Sequence, residues 1–315
     1  MANFTWTFDS PSGTYKNNAL SSDIRQAAIV ETKFMQFVKP EPGYGKKSGE
    51  SITINRISNL AIPTSGKLTE NIAISEDALT ITTVSITVSE WGRAVPYTSF
   101  SDDLSKLNIE NVVQRSLKDQ MKVIMDNACA AAFKTAKVCY IPTGVAAGTF
   151  DTDGTPSTSA TSNITVFHIE TVRDYLFSTL NAPAYENDEY IGLISTKGKR
   201  GLVSDPSWED WHKYTDPQSK YNSEIGKLEG IRFIEVNNTT ALSGSKGTGS
   251  VLGEAVIFGA DAVAMAVVQD PELRVKIPDD YGRQKGVAWY GILEFGIIWD
   301  TANAGEARVV RITSS

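Results

Sequence analysis

Residues 50–93 read ESITINRISNLAIPTSGKLTENIAISEDALTITTVSITVSEWGR, and apolar and polar side chains alternate towards both ends of this stretch. In the first run Ile52 and Ile54 are separated by one polar residue, which is the two-residue period of a β-strand. A second alternating run extends from 79 to 88, and its phase slips at Thr82 and Thr83, which predicts a β-bulge or bend. The segment between the runs is rich in Asn, Ser, Thr and Gly. The stretch therefore predicts a long two-stranded ribbon with an elaborate tip.

Downstream of the ribbon, residues 102–137 predict a single long helix. Ser101 and Asp102 offer an N-cap, apolar residues recur at helical spacing, and neither Gly nor Pro interrupts the pattern. At 1.5 Å per residue such a helix would span about 50 Å, whereas the mean helix has only ~11–12 residues.

An isolated hairpin is marginal in water, so we expect the ribbon to lie on its own domain or on a neighbouring molecule.

The first 43 residues form a predicted arm. Large aromatic residues, Trp6 and Phe8 among them, stand there among Asn, Thr, Ser and Gly. Apolar residues from Ile24 to Val38 recur at steps of three and four and predict a short helix, which Pro40 would end. Strands dominate the C-terminal part, where the predicted runs are 255–258, 262–268, 287–299 and 308–312.

The composition excludes several classes of protein. The 315 residues are 41% hydrophobic and 21% charged, which allows a large buried core and is unlike a disordered chain. Thirty basic and 37 acidic residues leave a net charge of −7, which disfavours general nucleic-acid binding because cationic surface is what releases phosphate counterions. Two cysteines are too few for a disulfide scaffold. The N-terminal residues show no signal-peptide pattern, and no apolar run approaches the ~20 residues of a membrane span.

Fragments of ligand-binding motifs occur, but none is complete. Residues 45–49 and 244–249 are rich in glycine without the spacing of a phosphate loop or of a dinucleotide fingerprint. Residues 151–154 read DTDG, like the start of a calcium loop, but the Gly and Glu that should follow are missing. A surface loop or a turn with Asx-type hydrogen bonds is the favoured interpretation of each. We therefore predict no cofactor and no metal site.

Few residues offer catalytic chemistry, and no catalytic residue is predicted. Glu209, Asp210 and His212 cluster beside Trp208, and they form the one constellation with potential for acid–base or metal chemistry. Structural roles are favoured for the two histidines, one of which is His168. The two cysteines differ in position. Cys129 lies inside the predicted helix, where a small core residue is the favoured interpretation, and Cys139 lies at the helix end, where a reactive thiol is an open alternative.

The order of these elements is similar to that of one protein family. An aromatic arm, a long ribbon, a very long helix, a mixed α/β region and a β-rich end resemble the major capsid proteins of tailed bacteriophages, which share the Johnson fold. Several motifs are similar to one branch, the podovirus-type capsid proteins. These motifs are EIGKLEGIRFIE at 224–235, VIFGADA at 256–262, DYGR at 280–283, VAWYG at 287–291, and Asp300.

The resemblance implies an α+β fold with four parts. They are an N-terminal arm (1–43), an extended β-ribbon loop (44–93), a peripheral domain (94–160 and 267–300) with the spine helix 102–137, and an axial domain (161–266 and 301–315). It also implies a structural subunit that self-assembles into the icosahedral head shell enclosing the phage genome. Such a subunit has no enzymatic activity, is part of the virion, and is assembled in the host cytoplasm.

The implied partners are other copies of the chain in hexamers and pentamers, a separate scaffolding protein, the portal, and double-stranded DNA that is enclosed but not tightly bound. No membrane partner is expected. We expect contacts between subunits at Trp6, Phe8, Lys67, Glu70, Trp208 and Trp211. Some family members cross-link their subunits through a loop Lys, an Asn and a catalytic Glu. Lys67, Asn303 and Glu294 match this set by position only, and a solvated turn residue is the favoured interpretation of Lys67.

Other functions remain open from the residues. An encapsulin-type compartment would keep the fold but load a cargo enzyme. A soluble enzyme would place its site near Trp208 to His212. A β-rich tail or adhesive protein is disfavoured by the long central helix.

Overall fold

The computed structural model describes residues 28–41, 44–105, 108–208 and 226–315. The strands are β1 (Lys39–Pro40), β2 (Ser51–Ile57), β3 (Ile81–Thr87), β4 (Ser89–Thr98), β5 (Val138–Gly144), β6 (Ala147–Asp151), β7 (Tyr190–Ser195), β8 (Lys227–Leu228), β9 (Ile231–Val236), β10 (Ala255–Phe258), β11 (Val263–Val275), β12 (Gln284–Ile297) and β13 (Val309–Ile312). The α-helices are α1 (Ser99–Leu104), α2 (Ile109–Phe133), α3 (Val166–Asp174) and α4 (Thr196–Val203). A π-helical turn at Tyr175–Thr179 continues α3, and short 3-10 turns lie at Met35–Phe37 and Thr248–Ser250.

The larger sheet has seven strands in the order β6-β5-β13-β10-β7-β9-β8. Its central strands β7 and β10 are buried at every residue, because apolar side chains cover both faces of the sheet. Tyr190 and Ile194 pack in the same cluster as the buried residues of α3. Ile191 and Leu193, which point the other way, pack in the cluster that contains the buried residues of α2. The sheet is thus sandwiched between two hydrophobic layers.

The smaller sheet has four strands in the order β1-β11-β12-β4. It is antiparallel except for the parallel pair of β1 with β11. Trp289 and Phe295 on β12 pack in the same cluster as Leu117 and Met125 of α2. That cluster also includes Leu193 of the seven-stranded sheet, so α2 helps to join the two sheets through one shared core.

The predicted helix over 102–137 is wrong at both ends. Helix α1 ends at Leu104, and Ser105 has extended backbone angles (φ −77°, ψ 134°). Asn108 is the N-cap of α2, and its side-chain oxygen accepts a hydrogen bond from the Asn111 N–H at 3.0 Å. Helix α2 has 25 residues and ends at Phe133, and the chain enters β5 at Val138. Ser and Asn side chains bond to nearby backbone groups, which favours helix ends over helix interiors.

The helix predicted before Pro40 is also wrong within the described residues, where only the 3-10 turn Met35–Phe37 forms. A buried carboxylate on α2 contacts the start of this turn. Asp126 Oδ1 accepts hydrogen bonds from the N–H groups of Phe34 at 2.8 Å and Met35 at 3.2 Å. Asp126 is fully buried, and burial raises the pKa of its carboxyl above the usual value. This contact ties the N-terminal segment to α2.

The ribbon consists of β2 and β3, and their alternating pattern predicted the strands correctly. The register runs without a shift from Ser51 opposite Thr87 to Ile57 opposite Ile81, so the bulge predicted at Thr82 and Thr83 is wrong. On β3 only Ile86 is buried. Most of the ribbon packs against no core, so folding places little constraint on which of its residues are apolar. The shift in the apolar pattern at Thr82 and Thr83 therefore does not indicate a shift in strand register.

The strands of the expected peripheral part belong to two different sheets. Strands β5 and β6, within residues 138–151, lie in the seven-stranded sheet, where β5 pairs in parallel with β13. Strand β4, which begins at Ser89 inside the expected ribbon loop, pairs with β12 in the four-stranded sheet. The division into arm, ribbon, peripheral and axial parts stays a prediction.

Candidate assembly surface

The tip of the ribbon, residues 58–80, forms neither helix nor strand and exposes large apolar side chains. The exposed fractions are 48% for Leu60, 96% for Ile62, 69% for Leu68, 68% for Ile72, 70% for Ile74 and 56% for Leu79. Scattered single apolar residues are normal on a protein surface, but six of them on one projecting segment are not. The tip is therefore the leading candidate for a binding surface.

The end of β2 next to the ribbon tip is held by a buried arginine. Arg56 on β2 is 7% exposed, and its Nη1 donates a hydrogen bond to the Ile298 carbonyl oxygen at 3.1 Å. The same nitrogen forms an ion pair with Asp300. The guanidinium carbon also lies 5.6 Å from the centre of the Trp299 ring, within the range of a cation–π contact. These contacts fix the tip-side end of β2 against the segment that follows β12.

A second anchor is the carboxylate of Glu306, which is 8% exposed. It accepts hydrogen bonds from Ser58 Oγ at 2.6 Å, Thr301 Oγ1 at 2.6 Å and Asn303 Nδ2 at 3.1 Å. Burial by itself would raise the pKa of Glu306, but these three hydrogen bonds, helped by the charge of Arg56, outweigh it and lower the pKa below the usual value. The ribbon is thus held where its strands end and the tip begins, and the large apolar side chains of the tip beyond that point are exposed.

Solved structures that are similar to the chain over nearly its whole length come from phage capsids. The capsid of cyanophage Pam1 matches with a TM-score of 0.73 and 14% identity, over 100% of this chain and 99% of that one. The acid-stable capsid of Helicobacter pylori bacteriophage KHP30 matches with a TM-score of 0.71 and 13% identity, over 99% of both chains. The capsid of Ralstonia phage GP4 matches with a TM-score of 0.63 and 14% identity, over 100% and 99%.

The chain has the fold of tailed-phage capsid proteins. The Johnson fold predicted from the order of elements is thereby confirmed. No protein-family model and no curated protein sequence matches the chain. At 13–14% identity the likeness to the capsid structures concerns the fold.

On this capsid fold the expected contact residues have different positions. Lys67 and Glu70 are exposed in the ribbon tip, and the Lys67 N–H donates to Ser65 Oγ at 3.2 Å in a local turn. Trp208 is 4% exposed and packs in the core of the seven-stranded sheet, so its ring has almost no surface to offer a neighbouring subunit. The expectations for Trp6, Phe8 and Trp211 lie outside the described residues.

The three residues that match the cross-linking set by position are spread over different elements of the capsid fold. Asn303 donates to Glu306 in the segment after β12, Glu294 is partly exposed on β12, and Lys67 lies in the ribbon tip. The side-chain amide of Asn303 is therefore already engaged within its own subunit. Cross-linking stays untested.

His168 has the structural role that the sequence favoured. It is fully buried at the start of α3, where its Nδ1 accepts the Thr165 N–H at 3.1 Å and its Nε2 lies 2.9 Å from the Gly144 carbonyl oxygen. Burial is the main reason that the pKa of His168 is lowered, which favours the neutral ring. The ring connects α3 to the β5–β6 hairpin through its hydrogen bonds. The cluster Glu209, Asp210 and His212 lies outside the described residues.

The two cysteines are both buried. Cys129 packs in the shared core around α2, as expected, and burial raises the pKa of its thiol strongly. Cys139 lies 2.8 Å from Arg311 Nη2, but burial still raises the pKa of its thiol. A protonated, enclosed thiol is a poor nucleophile, so the reactivity considered for Cys139 is not supported.

The incomplete calcium-like segment is a turn, as predicted. The Asp151 Oδ2 accepts the Ser157 N–H and the Asp153 Oδ1 accepts the Thr155 N–H, both at 2.7 Å. In the part of the chain that the structure describes, no group of three His, Cys, Asp or Glu side chains could hold a metal ion. The helices in the same part are all too short or too polar to cross a bilayer.

Sequence reasoning missed the two anchors of the ribbon. Arg56 was one polar residue of an alternating strand, and Glu306 belonged to no motif. Asp300 stood among the capsid-like motifs and Asn303 in the cross-linking set, which marked this segment as important but did not indicate its partner. No local signal connects Ser58 with Glu306, because 248 residues separate them.

Proposed function

We propose that the chain is a structural subunit that self-assembles into the icosahedral head shell enclosing a phage genome. The observation that carries the proposal is the ribbon tip: a capsid fold extends 23 residues, 58–80, that have exposed isoleucines and leucines and no covering layer among the described residues. Burying such side chains yields roughly 1.5–3 kcal/mol each. A closed shell supplies every copy of the tip with a neighbour.

The partners follow from this proposal. Copies of the chain form hexamers and pentamers, the portal occupies a vertex, and a separate scaffolding protein guides assembly in the host cytoplasm. The net charge of −7 suits a wall that encloses double-stranded DNA without gripping it. The subunit has no enzymatic activity and ends in the virion. Lys67 and Glu70 in the tip, together with Trp6, Phe8 and Trp211, stay proposed contact residues.

The test compares the wild type with a variant in which Ile62, Ile72 and Ile74 are replaced by Ser. We expect the wild type, alone or with its scaffolding protein, to form capsomers or closed particles in negative-stain electron micrographs. The variant should stay a folded, soluble subunit, because its tip has lost the apolar surface that neighbours bury. A matched control is Thr64→Ala with Ser75→Ala, which alters exposed polar residues of the same tip. A wild type that stays monomeric under all these conditions would contradict the proposal.

A further inference from the structure

Asp126 on α2 is a fully buried carboxylate of which only one oxygen is paired. Its Oδ1 accepts the N–H groups of Phe34 at 2.8 Å and Met35 at 3.2 Å. Its Oδ2 is enclosed and has no hydrogen-bond partner among the described residues. An ionised carboxylate loses its hydration when it is buried, so an unpaired oxygen makes the charged form costly.

The ionisable groups around Asp126 do little to offset this cost. Lys33 is the one cation that acts on the carboxyl within the described part of the chain, and its ammonium pairs with Glu31 at 2.9 Å. Cys129, three residues further along α2, is a buried thiol whose pKa is raised strongly, so it stays uncharged. Asp126 therefore has no ion pair of its own in the described part of the fold.

The segment that Asp126 holds, residues 28–35, packs loosely before it reaches the core. Residues 28–33 are all exposed or partly exposed. A groove of about 360 Å³ lies between them and α2, where Asp119 and Lys122 line it. The segment can therefore move away from α2 without opening the rest of the fold.

The other contacts between this segment and the body do not depend on a proton. The ring of Phe34 is fully buried and lies 5.7 Å from the ring of Phe133. The Glu31 N–H donates to Asn237 Oδ1 at 3.0 Å. The ion pair of Glu31 with Lys33 joins two residues of the segment itself. The charge state of Asp126 is thus the variable part of the attachment.

The two charge states of Asp126 differ in how well they suit this site. Burial raises the pKa of Asp126 above its usual value of 3.8, and the backbone N–H groups and the charge of Lys33 oppose the rise only in part. A neutral carboxyl still accepts both N–H groups through Oδ1, whereas ionisation adds a buried charge. Because the folded-state pKa is raised, the attachment is strongest at low pH and weakens as the pH rises through that pKa.

We propose that Asp126 is a proton-controlled latch: the neutral carboxyl holds residues 28–35 on α2, and its ionisation loosens them. The chain before residue 28 continues from this segment, so the latch also controls the point from which that part of the chain departs. The latch belongs to a single subunit and does not depend on shell assembly.

Hydrogen exchange of the full chain between about pH 4 and 8, corrected for the intrinsic exchange rates, measures how often residues 28–35 open. In the wild type the opening equilibrium should rise with pH, by up to about tenfold per pH unit below the folded-state pKa, and level off above it. Asp126→Asn keeps an oxygen for both N–H groups but cannot ionise, so its opening equilibrium should not change with pH. Peptides from α3, which packs in the other large hydrophobic cluster, report global opening for comparison.

Two further variants serve as controls. Asp103→Asn neutralises an exposed carboxylate and should keep the wild-type pH dependence. Asn237→Ala removes the acceptor of the Glu31 N–H, so opening should increase at every pH while its pH dependence stays. These outcomes would separate the latch from a contact that only adds stability.

A second measurement covers the case in which Asp126→Asn does not fold. In the wild type, the carboxyl carbon of Asp126 followed by NMR should titrate with the same midpoint as the opening of residues 28–35. Opening that is constant over the pH range overturns the latch, and so does a pH dependence that persists in folded Asp126→Asn. Midpoints that differ by more than about one pH unit also overturn it, because one proton then cannot account for both changes.

Discussion

At the scale of single residues, one carboxylate sets the geometry of the ribbon. Glu306 accepts hydrogen bonds from Ser58, at the end of β2, and from Thr301 and Asn303 in the C-terminal segment. Buried polar groups are costly when they are left without partners, and here three donors satisfy one nearly buried carboxylate. The contact therefore links two distant parts of the chain at the point where β2 ends and the ribbon tip begins.

We expect Glu306→Gln to lower the free energy of unfolding of the subunit by about 1–3 kcal/mol at pH 7, because the amide group has one oxygen fewer to accept the three donors. The pKa of Glu306 is lowered in the folded chain, so its contribution is complete above the usual value of 4.5 and is lost as the pH falls through the folded-state pKa. Urea unfolding from pH 7 to about pH 3 measures both effects.

The variant should therefore lose less stability than the wild type over the acid range, and the two curves should approach one another at the lowest pH. Glu50→Gln, which alters an exposed carboxylate, is the matched control and should follow the wild type. Parallel curves for wild type and Glu306→Gln would show that the Glu306 carboxylate does not anchor the ribbon.

At the scale of elements, the packing of the ribbon on the four-stranded sheet depends on a close contact. Ile86 of β3 is 4% exposed and clusters with Ala264 and Ala266 of β11. It also lies against Gly296 of β12, where an added Cβ would stand 2.6 Å from Ile86 Cγ1. The ribbon thus has a buried apolar side chain, Ile86, that fits over a position without a side chain.

Gly296→Ala should destabilise the subunit by about 1–3 kcal/mol, because the new methyl group overpacks the contact with Ile86. The same substitution combined with Ile86→Ala should cost less than the sum of the two single changes, since the smaller residue leaves room for the methyl group. A double-mutant cycle of unfolding free energies measures this coupling. Gly45→Ala, where a Cβ would have no neighbour within 4 Å, is the control. Additive effects would mean that the two residues do not share this contact.

At the scale of the whole molecule, the subunit has a complete core without its ribbon tip. The two large hydrophobic clusters are built from the sheets, α2, α3 and the segments that pack on them, and neither includes a residue of 58–80. The tip is therefore expected to contribute to assembly rather than to the folding of a single copy.

Deleting residues 59–78 and closing the ribbon with a short turn should leave a folded, soluble protein that forms no stable shell. Circular dichroism and thermal unfolding report the fold, and electron microscopy reports assembly. The full-length control Thr64→Ala with Ser75→Ala, measured in parallel, should assemble like the wild type and separates loss of the segment from a minor change in it. Immediate unfolding of the deletion variant would show that the tip belongs to the core of its own subunit.

The ribbon strands and most of the strand-rich C-terminal part could be predicted from the sequence, and the order of elements indicated the capsid fold. The ends of the long helix could not, because Ser105 and Asn108 fit a helical pattern until their capping role is known. The burial of Trp208 could not be predicted either. The sequence around an aromatic residue in a turn-rich segment is the same whether its side chain is buried or exposed.

The sequence by itself determined the ribbon strands, the body of the long helix and most of the C-terminal strands, because the periods of strand and helix depend on residues that are neighbours in the chain. Only the tertiary structure decided how the ribbon is held. Arg56 and Asp300 are 244 residues apart and Ser58 and Glu306 are 248 apart, so no local pattern links them. It also decided which apolar residues stay uncovered, because exposure depends on what the rest of the fold places over each side chain.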